Sequence, residues 1–220
     1  MTAQELKLDY FKFYDVPNQE AGYIIALQGQ FDQSPERVRC NYLNFFANPA
    51  SKNGEPLFDK NAHFTWYDLY DPVPDPTRLV AYQNQFGKQR AYIGRTYALL
   101  APAQKREPGS AFPERLDHYK VYQVLSGEPV SKAVKLEDQF GAGETKVYDP
   151  IFFAVPVKKW WEGQTFGIHN EKAHLAFYRI YPESMQKAIV VRDQFGPRSL
   201  QTYRSVLLAV PSVKLEWKEA

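Results

Sequence analysis

The stretch LEDQFGAGETKVYDPIFFAVPVKK, Leu136 to Lys159, carries two signals that return throughout the chain. Its Gln139-Phe140 pair recurs as Gln30-Phe31, Gln85-Phe86 and Gln194-Phe195, at steps of 55, 54 and 55 residues. Its apolar run ending at proline recurs as FFANP from Phe45, LLAP from Leu99 and LLAVP from Leu207. A third landmark precedes each Gln-Phe pair. It is an aromatic segment, LDYFKFY from Leu8, HFTWYDLY from His63, LDHYKVY from Leu116 and HLAFYRIY from His174. A fixed period of this length marks a repeat architecture, and reading it comes before any search for motifs.

The units are not equally alike. Units one and three share Leu-Asp at the start and Phe-Phe-Ala near the end, while two and four share Ala-His and Leu-Leu-Ala. Offsets between these pairs are 108 for Leu8 to Leu116, 109 for Gln30 to Gln139 and 111 for His63 to His174. A duplicated half, itself a tandem pair, explains that nesting. Lys105 to Glu114, KREPGSAFPE, has the proline, glycine and charge content of a linker. The expected domains are therefore 1–108 and 112–220.

Within a unit the apolar period is two. Val134, Leu136, Asp138 and Phe140 share one face, and Lys135, Glu137 and Gln139 the other, as in half-buried strands. Aromatic residues make up 15% of the chain and 16 prolines are spread along it, which favours strands over long helices. The expectation is an all-β protein. Four units of about 55 residues would form two duplicated β-barrel or sandwich halves, with a four-bladed propeller as the alternative.

Totals exclude several roles. A net charge of +2 with interspersed signs gives no footprint for nucleic acid. No apolar run is long enough for a spanning helix, and the start lacks a signal-peptide pattern. The chain as written reads as cytoplasmic, or as exported if a signal has been removed. Cys40 is the single cysteine, so no intrachain disulfide can form.

Around Gln-Phe the chemistry is that of a turn. Asn84-Gln85, Asp138-Gln139 and Asp193-Gln194 each precede Phe-Gly, pairing a short polar side chain with a glycine able to take positive φ. Unit one departs, with Gly29-Gln30-Phe31-Asp32. Catalytic use of Asp138 and Asp193 as a carboxylate pair is the sharper alternative.

Taken together, LDHYKVY, the DQFG copies at Asp138 and Asp193, and LLAVP resemble an uncharacterised bacterial and archaeal repeat family, a domain of unknown function. Its units read roughly L-D-H-[FY]-K-C-Y, D-Q-F-G and L-L-C-x-P. The resemblance covers nearly the whole chain and implies fold rather than chemistry. Relatives place a cysteine in the aromatic strand and another before the proline. Those positions here hold Phe13 and Ala47, Trp66 and Ala101, Val121 and Ala154, and Phe177 and Ala209. The resemblance implies that each pair lies side by side, a bulky residue beside a small one.

No GxSxG, Walker A or GxGxxG motif is present, and no cofactor or enzymatic activity is expected. His63, His118 and His174 share one repeat position, which suggests a structural role. His169, Glu171 and His174 form a weak metal candidate without the spacing of known metal motifs. Trp160 and Trp161 cannot both face inward from one strand, so one is a candidate partner contact. Tyr42, Tyr92, Tyr148 and Tyr203 recur, with Tyr148 and Tyr203 the named candidates for a ligand platform. The expected function is a non-enzymatic structural or protein-binding subunit. The alternative is a module for glycans or a surface ligand, adhesive or toxin-like, and a hydrolase comes third. The loop DPVPDP, Asp71 to Pro76, reads as a variable connection.

Overall fold

The computed structural model describes residues 3–70 and 74–220, so Asp71, Pro72 and Val73 of the DPVPDP loop lie outside the described residues. Apart from one helical turn, α1 (Ala3–Leu6), the regular elements are strands. They are β1 (Tyr10–Gln28), β2 (Glu36–Lys52), β3 (His63–Tyr70), β4 (Arg78–Asn84), β5 (Gly87–Lys105) and β6 (His118–Gly127). Then follow β7 (Lys132–Asp138), β8 (Gly141–Trp161), β9 (Gln164–Phe166), β10 (His174–Asp193) and β11 (Gly196–Glu219).

Strand pairing closes a ring. Going round, β1 pairs β2, then β3, β5, β6, β8, β10 and β11, which pairs β1 again, each neighbour antiparallel. Each unit supplies two wall strands, its aromatic segment and its run to proline. Closure leaves no edge in the wall. The pairing is barrel-like and has none of the separate radial blades of a propeller. It also takes in all four units, because two units supply only four wall strands. Around the expected boundary, β5 and β6 are themselves paired, with Leu100 opposite Tyr119.

The barrel interior holds Phe11, Phe13, Ala47, Phe64, Trp66, Ala98, Leu100, Tyr119, Val121, Ala154, Leu175, Phe177 and Ala209. Bulky and small residues alternate around the ring, as a narrow barrel requires. Phe13 lies opposite Ala47, Val121 opposite Ala154, and Phe177 opposite Ala209. Unit two departs from the expected pairing: Trp66 faces Leu100, and Ala101 faces Thr65. Its run to proline is one residue shorter than the LLAVP of unit four, so counting back from Pro102 gives Leu100.

A second apolar layer lies outside the wall, where Tyr10, Phe46, Tyr67, Tyr82, Tyr122 and Tyr178 meet the hairpins. Beyond the wall each unit continues into a hairpin: β1–β2 in unit one, β4–β5, β7–β8 and β10–β11 in the others. These two layers explain the two sequence periods. Wall strands are buried on both faces and read as continuous apolar runs such as Phe153-Ala154-Val155. The β7 hairpin is buried on one face, so Val134 and Leu136 turn inward while Lys135 and Glu137 stay exposed.

Candidate functional site

Three hairpin tips are built alike. Asn84, Asp138 and Asp193 each accept the N–H of the Phe two residues on, at 2.8, 3.0 and 2.8 Å. Gly87, Gly141 and Gly196 follow with φ of 113°, 148° and 113°, a region costly for side chains with Cβ. The remaining oxygen or amide of each Asx residue reaches a tyrosine in the unit opposite across the ring. The Tyr14 hydroxyl donates to Asp138 Oδ2 at 2.6 Å, Tyr67 donates to Asp193 at 2.5 Å, and Asn84 Nδ2 donates to Tyr178 at 2.9 Å. Thr65 adds a bond to Asp193 at 2.7 Å, and Asn48 one to Asp138 at 3.1 Å. The tip phenylalanines meet tyrosines of the opposite unit edge-on. Phe140 lies 5.0 Å from Tyr14, Phe195 5.0 Å from Tyr67, Phe86 5.2 Å from Tyr178, and Phe31 5.3 Å from Tyr122. Units one and three thus exchange tips, as do two and four. Asp138 and Asp193 sit in separate tips, committed to turn backbone and tyrosine hydroxyls, not facing each other across a cleft.

The glutamines reach a different neighbour. Gln85 accepts from the Tyr10 hydroxyl at 3.1 Å, the Gln30 amide lies 3.3 Å from His174 Nε2, and Gln194 bonds His118. Gln139 accepts from Lys105 and donates to the Lys60 carbonyl. His63 stacks on Phe46. Burial lowers the pKa of His63 and His118 to about 3 and of His174 to about 4, so all three are neutral at physiological pH. His169 bonds Asp117 at 2.9 Å while Glu171 is exposed, and no metal-holding group of three occurs among the described residues.

One repeated residue escaped the sequence reading. Lys52, Lys105, Lys159 and Lys214 each lie three residues beyond a proline of the third landmark. Three of them cap a tip phenylalanine: Lys105 over Phe140 at 5.3 Å, Lys159 over Phe195 at 4.6 Å and Lys214 over Phe31 at 4.9 Å. Lys52 lies over Tyr10 instead. The constant spacing from Pro49, Pro102, Pro156 and Pro211 was the available signal.

This tip end is closed. Leu6 and Leu8, with Ala62 and Ala173, pack onto the barrel interior there. At the opposite end of the wall, a cleft of about 600 Å³ is lined by Phe45, Tyr97, Tyr148, Phe152, Tyr181 and Leu207, with Arg179, Arg204 and Asp15 at its rim. Aromatic rings of the interior run up to its floor, with Trp66 5.2 Å from Phe152 and Phe152 5.0 Å from Tyr97. Arg204 grips Asp15 through Nη2 at 2.8 Å and Nε at 3.1 Å. Asp68 accepts the Trp66 indole N–H at 2.9 Å and a bond from Asn44. Burial raises its pKa against those bonds.

Of the sequence candidates, Tyr148 lines this cleft. Tyr203 is exposed beside Arg204 and is absent from the lining, while Tyr42 borders a smaller hollow shared with Tyr97. Trp161 turns toward Tyr23 and Phe195, 6.1 and 5.0 Å away, and borders a second cleft with Arg106, Arg192, Phe112 and Phe166. Trp160 pairs with Ala26 and Thr165 in the sheet and is part-exposed. Nothing in local pattern marked Phe45, Tyr97 or Arg179, because the mouth is assembled from strand ends far apart in sequence.

No curated protein and no solved structure matches this chain. A family model described as a repeat of unknown function (DUF7450) matches residues 63–211, which takes in units two, three and four from His63 to Pro211. The chain belongs to that family of unknown-function repeats.

Proposed function

We propose that this protein is a non-enzymatic binding module that holds its ligand in the cleft at the open mouth of the barrel. The observation that carries this reading is the lining itself. Five aromatic rings face a space of about 600 Å³, with two guanidinium groups at its edge. Solvent-facing aromatic walls with a few polar groups suit the apolar faces and hydroxyls of a glycan. Arg179 has no partner among the described residues and is exposed, so it is free to donate to such a ligand. The reading also draws on the tip carboxylates being engaged in turns, which leaves them poorly placed for hydrolysis.

Titration with a panel of soluble oligosaccharides, followed by tryptophan fluorescence, tests it. Trp66 underlies the cleft and serves as reporter. One glycan class should shift the signal saturably, and Tyr148→Ala should weaken binding roughly 3- to 10-fold, the worth of one stacking ring. A panel without any saturable response would sink the glycan reading.

A second reading, as a protein-binding subunit, draws on the other cleft. Trp161, exposed Phe112, Arg106 and Arg192 combine aromatic surface with guanidinium donors there, a composition favoured at interfaces.

A further inference from the structure

Unit one breaks the tip rule, and what replaces the rule is a set of reactive groups. Its aspartate follows the phenylalanine, as Asp32, and points at Lys120 in β6 of unit three. Lys120 Nζ lies 3.0 Å from Asp32 Oδ1 and 2.5 Å from Glu36 Oε2. The side chains of Lys120 and Asp32 are 0% and 1% exposed, and that of Glu36 is 34% exposed. The backbone N–H of Gly29 donates to the second oxygen, Asp32 Oδ2, at 2.7 Å. The rings of Phe31 and Tyr122 cover the group.

We propose that the Lys120 amine condenses with the Asp32 carboxyl into an intramolecular amide, an isopeptide bond, with Glu36 relaying the proton. Each participant has a place. Lys120 on β6 and Asp32 in the β1–β2 turn, fixed there by its bond from Gly29, are held within hydrogen-bond distance, which supplies proximity. Gly29 N–H stands where negative charge develops on Oδ2. Glu36 touches the attacking nitrogen.

The step balances without a co-reactant. One proton first passes from the Lys120 ammonium to Asp32 Oδ1; the freed nitrogen lone pair then attacks Asp32 Cγ, and the C–N bond forms. Glu36 takes a proton from nitrogen and returns it to the departing Oδ1 oxygen. The C–O bond breaks, water leaves, and nothing is oxidised or reduced.

The ion pair is the resting proton arrangement, and the amine must be freed from it before attack. Burial works against the Lys120 ammonium, and Tyr122, Asp32 and Glu36 outweigh it, so its pKa is raised. Burial raises the Glu36 pKa despite Lys120. The ion pair and the neutral amine–acid pair contain the same protons, and a water-poor site lowers the cost of the neutral pair. Among the described residues, Asp75 and Arg78 also face the cluster and pair with each other at 3.3 Å. Lys214 lies over Phe31.

Intact-mass spectrometry of the purified full chain, held at pH 5, 7 and 9, followed by peptide mapping, is the test. The expected wild-type mass is lower than the sequence mass by one water, about 18 Da. Digestion should yield a branched peptide joining the Asp32 and Lys120 segments. Lys120→Arg and Glu36→Gln should each run at full sequence mass. Glu36→Gln guards against misfolding of the first variant, since Glu36 is partly exposed. A wild-type chain at full mass under all three conditions overturns the proposal, as does a water loss mapped to any other position.

Discussion

The two ends of the barrel are built on opposite plans. At the tip end nearly every contact is made four times, or three times with one variation. Asx residues hold turns, phenylalanines meet tyrosines of the opposite unit, and lysines cap those phenylalanines. At the mouth the four units part company. Unit one presents Phe45 and Asp15, unit two Tyr97, unit three Tyr148 and Phe152, and unit four Arg179, Tyr181 and Arg204. Repetition therefore builds the scaffold, and its breakdown marks where a ligand would be chosen. Unit one's tip, with Asp32 on Lys120, is the same lesson at smaller scale.

The sharpest way to break this comparison is at a tip. Asp193 is buried and accepts from Thr65, Tyr67 and its own turn. Asp193→Ala should cost about 3 kcal/mol, since the buried Tyr67 hydroxyl and the Phe195 N–H lose their acceptor, while Thr65 keeps the Ala101 carbonyl. Asp193→Asn should lose less, because Asn84 performs that role in unit two. Urea denaturation measures both, and an unchanged midpoint for the alanine variant would remove the tips from the stability argument.

Acid gives the next effect. His174 has its pKa lowered to about 4 from an ordinary 6.5, chiefly by burial. The unfolded chain takes up the proton first, so stability falls as pH drops from about 6.5 through 4, by on the order of 3 kcal/mol once complete. His63 and His118 act in the same direction. Chemical denaturation at pH 7 and pH 4.5 should show the fall, and His174→Gln should flatten part of it.

The smallest stability effect belongs to the mouth. Tyr181→Ala removes a lining ring that is 67% exposed, and should leave stability within about 0.5 kcal/mol. A loss of several times that would make the exposed tyrosines part of the scaffold and weaken the contrast between the two ends.

Much of the scaffold could be read locally. Asp-Gln-Phe-Gly carries its own turn acceptor and its own glycine, so a hairpin tip follows from four adjacent residues. The opposition of Phe13 to Ala47 and of Phe177 to Ala209 comes from the family resemblance, whose members place a cysteine at each of the two positions. In unit two LLAP lacks the residue that LLAVP carries between Ala and Pro, so Leu100, two residues before Pro102, takes the place opposite Trp66. The lysine repeat was equally legible, but a lysine after an apolar run reads as solvated surface until an aromatic ring is placed beneath it.

The sequence by itself determined the repeat, the all-β class, the hairpin tips and which faces of the strands are apolar. The repeat shows in identical motifs 54 or 55 residues apart, and the rest depend on neighbours a few residues apart. Tertiary structure alone decided that the tips are exchanged between opposite units, that β11 meets β1 to close the ring, and that one end stays open. Each of those outcomes depends on pairings between residues up to 198 positions apart, as Phe11 with Ala209. Ring closure satisfies the last unpaired backbone edge of the wall, a requirement that acts on the whole chain and leaves no mark on any single segment.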